Sequence, residues 1–199
     1  MHISEGILSG SVLIAGWAGT TAGIAVGLMK TDTSRIVRTA LLSSAFFLAS
    51  LVNVRVGPSS THLSLLAPMG LILGWGVFPA VFTALLLQAI LFNFGGLLVL
   101  GVNTFIMGTA SLSMYLLFGR IVREGKSRVA VITASFLAGS LAVILGACLV
   151  GVCLGMTDSN FLNAAKVLVI AHVPVAMIEG VVTAFMIMWL KKAAPEFLS

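Results

Sequence analysis

The segment 129–155 contains no charged side chain, and it is one of several such runs in a chain of 199 residues. A helix of roughly 20 apolar residues crosses a hydrocarbon core about 30 Å thick. The rest of the composition obeys the same constraint: 59% of residues are hydrophobic, 9% are charged and the mean hydropathy is +1.16. Soluble domains carry about a quarter charged residues, so these side chains cannot build a water-facing surface. Soluble enzymes, disordered tails, collagen-like rods and disulfide scaffolds are excluded. The expectation is an all-α, almost wholly embedded membrane protein, forming a single transmembrane domain over residues 1–199.

Seven apolar segments are readable, at roughly 7–29, 35–54, 63–76, 77–93, 104–119, 129–155 and 163–190. Gly74-Trp75-Gly76 followed by Pro79 is a turn signal dividing the third from the fourth. Both are short enough to be re-entrant or strongly tilted instead. Lys30, Arg35, Arg38, Arg120, Arg123, Lys126, Arg128, Lys191 and Lys192 fall on one side if there are seven spans, nine of the eleven basic residues. Only Arg55 and Lys166 fall on the other. The positive-inside rule then predicts seven transmembrane helices, with the N-terminus outside and the C-terminus cytoplasmic. The opening Met1-His2-Ile3-Ser4-Glu5-Gly6 lacks the basic n-region of a cleaved signal peptide, so it is expected to remain in the mature chain.

The net charge of +5 reads as this orientation signal rather than as a nucleic-acid footprint, because no aromatic residues interleave the basic clusters. Cys148 and Cys153 match neither a CxxC pair nor one helical face, and are expected as small buried hydrophobes. Small residues recur every four positions at Gly19, Gly23 and Gly27, at Ala45 and Ala49, at Gly70 and Gly74, and at Gly151 and Gly155. Such rows let helix backbones approach closely in lipid. They predict internal packing, or, for an exposed row, docking of a partner membrane subunit.

The chemistry has few places to sit. His2, His62 and His172 share the outer layer of the predicted topology. A chain starting X-His offers an amine, an amide nitrogen and an imidazole nitrogen, which can close fused chelate rings on one metal once the amide deprotonates. Amide planarity holds these donors coplanar, and a fourth nitrogen would complete the square favoured by Ni(II) or Cu(II). His62 is the natural fourth donor; the bland reading of His2 is a solvated terminal residue. Gly57-Pro58-Ser59-Ser60-Thr61-His62 reads as a polar loop entering the third helix, with hydroxyls placed to cap it. His172, before Val173-Pro174, is equally well a kink histidine or a ligand.

Glu179 is the only carboxylate deep within a span, seven residues after His172 and on about the same helical face. It reads either as a residue supporting a ligand, as part of a proton relay, or as a structural hydrogen-bonding group. Gln88, Asn93 and Asn103 are its candidate partners. The chain has no Walker A loop, HExxH helix or GxSxG elbow, so no enzymatic activity is expected, and any ATP hydrolysis belongs to other chains.

These residues resemble the CbiM/NikM family, the substrate-capture subunits of energy-coupling-factor transporters for cobalt and nickel. The resemblance rests on the opening Met1 to Gly6, Ser60-Thr61-His62-Leu63, the stretch from Gln88 to Gly95-Gly96, Leu100 to Phe105, and His172 to Gly180. It implies seven transmembrane helices, the first an addition relative to other substrate-capture subunits, and an N-terminal segment folded back into the bundle. It implies metal ligation by the Met1 amine, the His2 amide and imidazole and the His62 imidazole. Asn103, His172 and Glu179 are read from the residues themselves as candidates to support those ligands. Its implied partners are a transmembrane coupling subunit, two cytoplasmic ATPases and a small accessory membrane protein. Cobalt-type members often place His before the Gly-Gly pair, where this chain has Phe94, which leans toward nickel.

The sequence therefore predicts the metal-binding subunit of an ATP-driven importer in the cell membrane, carrying Ni2+ in preference to Co2+ as substrate, with no organic cofactor and no nucleic-acid partner. The loops 55–62 and 93–103 are expected to close over the metal. The alternative is a proton-coupled secondary metal transporter working without ATPases, with Glu179 and His172 as its relay.

Overall fold

The structure is a computed structural model that describes residues 3–51, 53–56 and 59–198. Its helices are α1 (Gly10–Lys30), α2 (Ile36–Leu51), α3 (Leu66–Leu73), α4 (Val77–Phe92), α5 (Leu100–Glu124), α6 (Arg128–Thr157), α7 (Leu162–Ala171) and α8 (Val173–Ala193). Between α2 and α3 stands a small antiparallel hairpin, β1 (Asn53–Val56) and β2 (Ser59–His62), pairing Asn53 with His62 and Val56 with Ser59. The sequence reading expected a helix-capping loop there. Ser59, Ser60 and Thr61 lie instead in β2, and α3 starts after Leu65, which adopts a left-handed φ of 48° and provides no side-chain cap.

Five stretches are long and apolar enough to cross a membrane: Gly10–Lys30, Leu66–Phe92, Leu100–Glu124, Arg128–Thr157 and Ser159–Ala193, with Ile36–Leu51 a shorter apolar helix. Leu66–Phe92 is not straight. Gly70 and Gly74 lie against Ser111 and Tyr115, so α3 runs parallel to α5. Gly16 and Gly19 lie against Val102 and Phe105, so α1 does too. Yet Gly27 meets Pro79, and Trp17 meets Phe82 ring to ring at 6.3 Å, so α4 runs against α1. The chain reverses at the 3-10 turn Gly74–Gly76, where Gly74 takes a φ of 55°.

At eight residues α3 is about 12 Å long, well short of a bilayer core. All its residues are buried, so surrounding protein rather than lipid meets the backbone ends it leaves at membrane depth. The α2 helix runs parallel to α4, with the Ser43 hydroxyl donating to the Ala80 carbonyl and the Gln88 amide donating to the Ser50 hydroxyl. Gly155 against Leu162, Gly151 against Ala165 and Gly139 against Gly180 make α7 and α8 a single descent antiparallel to α6. Pro174 breaks that descent at His172, since proline lacks the N–H a continuous helix requires. Each connection thus reverses the chain, with α7 and α8 acting as one pass.

The glycine rows are internal. Gly23 packs on Phe78, Gly70 on the Ser111 backbone and Gly151 on Ala165, which favours packing over docking for these rows; Ala45, by contrast, is exposed. Both cysteines are free, as expected, but Cys148 is exposed and Cys153 half-buried, so neither is the buried residue the sequence implied. An outward thiol surrounded by apolar side chains costs nothing in a lipid-facing surface.

Candidate functional site

The α5 helix begins Leu100-Gly101-Val102-Asn103, which buries Asn103 in the first turn at 4% exposure. A carboxamide carries a donor and an acceptor on one planar group. Asn103 uses both on one residue: its Nδ2 donates to the Ile3 carbonyl at 3.0 Å, and its Oδ1 accepts from the Ile3 N–H at 3.0 Å. Residue 3 is thereby held at two points with its side chain buried. Of the segment before α1, Ile3 and Glu5 lie against the start of α5 and the turn ahead of it.

Glu5 extends this attachment. Its N–H donates to the Gly95 carbonyl at 3.1 Å, and its Oε1 accepts from the Leu98 N–H at 2.8 Å, just ahead of α5. Gly96 makes room: its φ is 125°, and a Cβ there would fall 2.2 Å from the Glu5 side chain. Asn93 ends α4 in a left-handed conformation with φ 54°. The Gly-Gly pair read in the sequence as a family signature is, physically, the seat for Glu5. Phe94 is exposed and packs on Phe92, with ring centroids 5.9 Å apart.

Across the same end, Ser64 donates from its backbone N–H and from its hydroxyl to Glu179 Oε1, the latter at 2.7 Å. Glu179, 1% exposed, is on α8, so the chain two residues beyond His62 is pinned to that helix. This corrects the expected partners of Glu179. Gln88 is engaged with Ser50, Asn93 caps α4 and Asn103 holds Ile3.

His172 is 3% exposed at the α7–α8 break, its Nδ1 lying 2.8 Å from the Leu168 carbonyl of its own helix, while its buried Nε2 has no hydrogen-bond partner. It shares no hydrogen bond with Glu179, despite the seven-residue spacing.

Met1 and His2 lie outside the described residues, as does the side chain of His62, whose backbone closes β2. Among the described residues no three His, Cys, Asp or Glu side chains gather to hold a metal. What those residues do form is a pair of anchors, one on the residue that follows His2 and one on the segment that follows His62. Glu5 and Ser64 were not singled out from the sequence as anchors; Glu5 stood only within the opening motif and Ser64 only two residues after His62.

Residues 2–197 match the family CbiM, described as a cobalt uptake substrate-specific transmembrane region. A Haemophilus influenzae protein assigned to metal transport by name is 38% identical over 200 residues, covering 100% of this chain and 97% of that one. The cobalt transport protein CbiM of Kyrpidia tusciae is 32% identical over 224 residues, covering 100% and 86%. The fused nickel transport protein NikMN of Rhodobacter capsulatus is 28% identical, covering 100% and 64%. In fold, the chain is similar to the crystal structure of a transition metal transporter, with a TM-score of 0.83 at 24% identity over 96% of this chain and 93% of that one.

Proposed function

Since this chain belongs to the CbiM family, and is therefore a multi-pass integral membrane component of metal transport, we propose that it captures Ni2+, in preference to Co2+, as the substrate-specific subunit of an energy-coupling-factor importer. The metal is the cargo. In this reading the Met1 amine, the His2 amide and imidazole nitrogens and the His62 imidazole replace its water at the outer end. A coupling membrane subunit and two ATPases, with a small accessory membrane protein, drive release into the cell. Nickel is favoured by the four-nitrogen square and by Phe94 before Gly95-Gly96.

The observation that carries the proposal is the Asn103 clamp on Ile3. A chelate built on the first two residues of a chain loses much of its affinity to the freedom of a loose terminus. Fixing residue 3 at two points removes that cost before the metal arrives. The bond from Ser64 to Glu179 does the same for the strand bearing His62.

The alternation of α1, α2, α3, α4, α5, α6 and the α7–α8 pass supports seven spans over a single domain of residues 1–199. Opposite the anchors, Lys30 lies over Trp75, Arg123 donates to the Leu71 carbonyl and Lys191 donates to the Gly125 carbonyl. That basic end is the cytoplasmic one by the positive-inside rule, in the inner membrane of the cell.

The test is calorimetric titration of Ni2+ and Co2+ into purified protein beginning at Met1, beside a version with one residue added before Met1. Extension moves the amine off the chelate, so stoichiometric Ni2+ binding is expected to disappear, as it is in His2→Ala and His62→Ala. Undiminished binding by the extended protein overturns the ligand set. The proton-coupled alternative separates in reconstituted vesicles. It requires sustained uptake by the lone chain under a pH gradient, where the importer reading expects none without the ATPases. We favour the importer because Glu179 and His172 direct their hydrogen bonds to different partners.

A further inference from the structure

At the basic end a cavity of about 480 Å³ is bordered by Lys30, Arg35, Arg123, Trp75, Tyr115 and Leu116. Three cations border it, and no carboxylate lines it among the described residues. Asp32 and Glu124, the carboxylates nearest in sequence, are exposed, and Glu124 pairs with Arg120 at 3.1 Å.

The cations are preset. Lys30 Nζ stands 4.8 Å from the Trp75 ring centroid, and the Arg123 guanidinium stands 4.6 Å from that of Tyr115. Arg123 donates one terminal nitrogen to the Leu71 carbonyl at 3.2 Å and the other toward the Tyr115 hydroxyl at 3.4 Å, which orients the group. Its Nε is buried and has no hydrogen-bond partner. A buried guanidinium nitrogen without an acceptor is costly. An oriented arginine beside the Lys30 ammonium matches the charge and geometry of a phosphate.

The cavity lies where helices end: Lys30 closes α1, Trp75 is in the α3–α4 turn and Arg123 is in the last turn of α5. On its apolar side Leu116 is 64% exposed on α5, next to Leu117 at 63%. In a membrane-embedded chain that surface meets acyl chains. We propose that this cavity binds the phosphate of an anionic phospholipid headgroup, whose acyl chains run along the Leu116 face of α5. Basic pockets between helix ends are a recurrent solution for anionic headgroups. The assignment depends only on the chain being embedded, and stands apart from the metal reading.

The experiment uses the full chain purified in neutral detergent and titrated with phosphatidylglycerol, phosphatidylcholine or inorganic phosphate. Retained lipid is counted by native mass spectrometry and the thermal midpoint is followed. One phosphatidylglycerol is expected to be retained at roughly tenfold lower concentration than phosphatidylcholine, with a raised midpoint. Arg123→Gln is expected to lose that preference. Because Arg123 also holds the Leu71 carbonyl, Lys30→Gln is the companion variant: its exposed side chain leaves that bond intact, and it should weaken retention severalfold with an unchanged lipid-free midpoint. Equal retention of the two lipids, or unchanged phosphatidylglycerol retention in both folded variants, overturns the site. Full displacement by millimolar inorganic phosphate assigns it to a soluble anion and overturns the lipid.

Discussion

The two ends of the bundle use their polar groups in opposite ways. At the anchor end, Asn103, Glu5 and Glu179 each accept hydrogen bonds from backbone of another segment, at Ile3, Leu98 and Ser64. Every one of these bonds joins pieces distant in sequence, and two of the segments so held adjoin His2 and His62. At the basic end, Lys30 and Arg123 border a cavity that no carboxylate lines among the described residues. At one end the side chains hold backbone in place; at the other, the buried Arg123 Nε has no acceptor. The difference implies that substitutions at the anchor end act on metal affinity, whereas Lys30→Gln leaves it unchanged.

The largest effect short of removing a ligand is expected at Asn103. Asn103→Leu preserves size while leaving the buried Ile3 N–H and carbonyl unpaired, which costs on the order of 1–3 kcal/mol per group. A lost supporting partner of a metal ligand typically lowers affinity by roughly 10–100-fold. Titration of Ni2+ into folded Asn103→Leu is expected to fall in that range. Asn103→Asp keeps the acceptor for the Ile3 N–H and loses the donor to its carbonyl, so it should fall between. Wild-type affinity in Asn103→Leu would break the link between the clamp and the metal.

Much of this arrangement was legible in the sequence, and what was not has identifiable causes. Apolar runs located the helices because lipid leaves a chain few alternatives. Clustered Lys and Arg located the basic end, and Asn103 was visible as one of few polar groups near a helix start. The β1–β2 hairpin was hidden because the apolar segment 35–54 takes in the first half of β1, while Gly57-Pro58 makes the rest read as a loop. The third segment was visibly short at 63–76, but periodicity does not show that its helix is only eight residues long. The partners of Glu179 were unreadable for a different reason. Ser64 is 115 residues away, and its backbone N–H, one of the two donors, is present at almost every position of any chain.

Glu179 gives a smaller and sharper test. Glu179→Gln retains a carbonyl oxygen that can accept from Ser64, so Ni2+ affinity should fall only severalfold, while Glu179→Leu removes the acceptor and should fall about tenfold or more. Uptake by the complete transporter should follow the same order. A proton relay would reverse the expectation: Glu179→Gln would abolish uptake and leave binding intact.

The smallest effect belongs to His172, and it tests whether chemical type or position makes a residue part of the site. By type His172 is the most suitable metal ligand among the described residues, with a buried Nε2 that nothing occupies. By position it belongs to the fold. Its Nδ1 is taken by the Leu168 carbonyl, its backbone N–H by Leu168 and Val169, and its own carbonyl by the Ala176 N–H, across the break that Pro174 imposes. His172→Ala should therefore lower the thermal midpoint by opening a cavity at the α7–α8 junction, a cost of a few kcal/mol for a large buried side chain. The Ni2+ affinity of the folded protein should stay within about twofold, since neither anchor touches that junction. His172→Gln restores bulk and a hydrogen-bonding group, and should recover most of the lost midpoint. A loss of metal binding in His172→Gln at wild-type stability would move His172 into the coordination sphere, and would extend the anchor end from α5 and α8 across to α7.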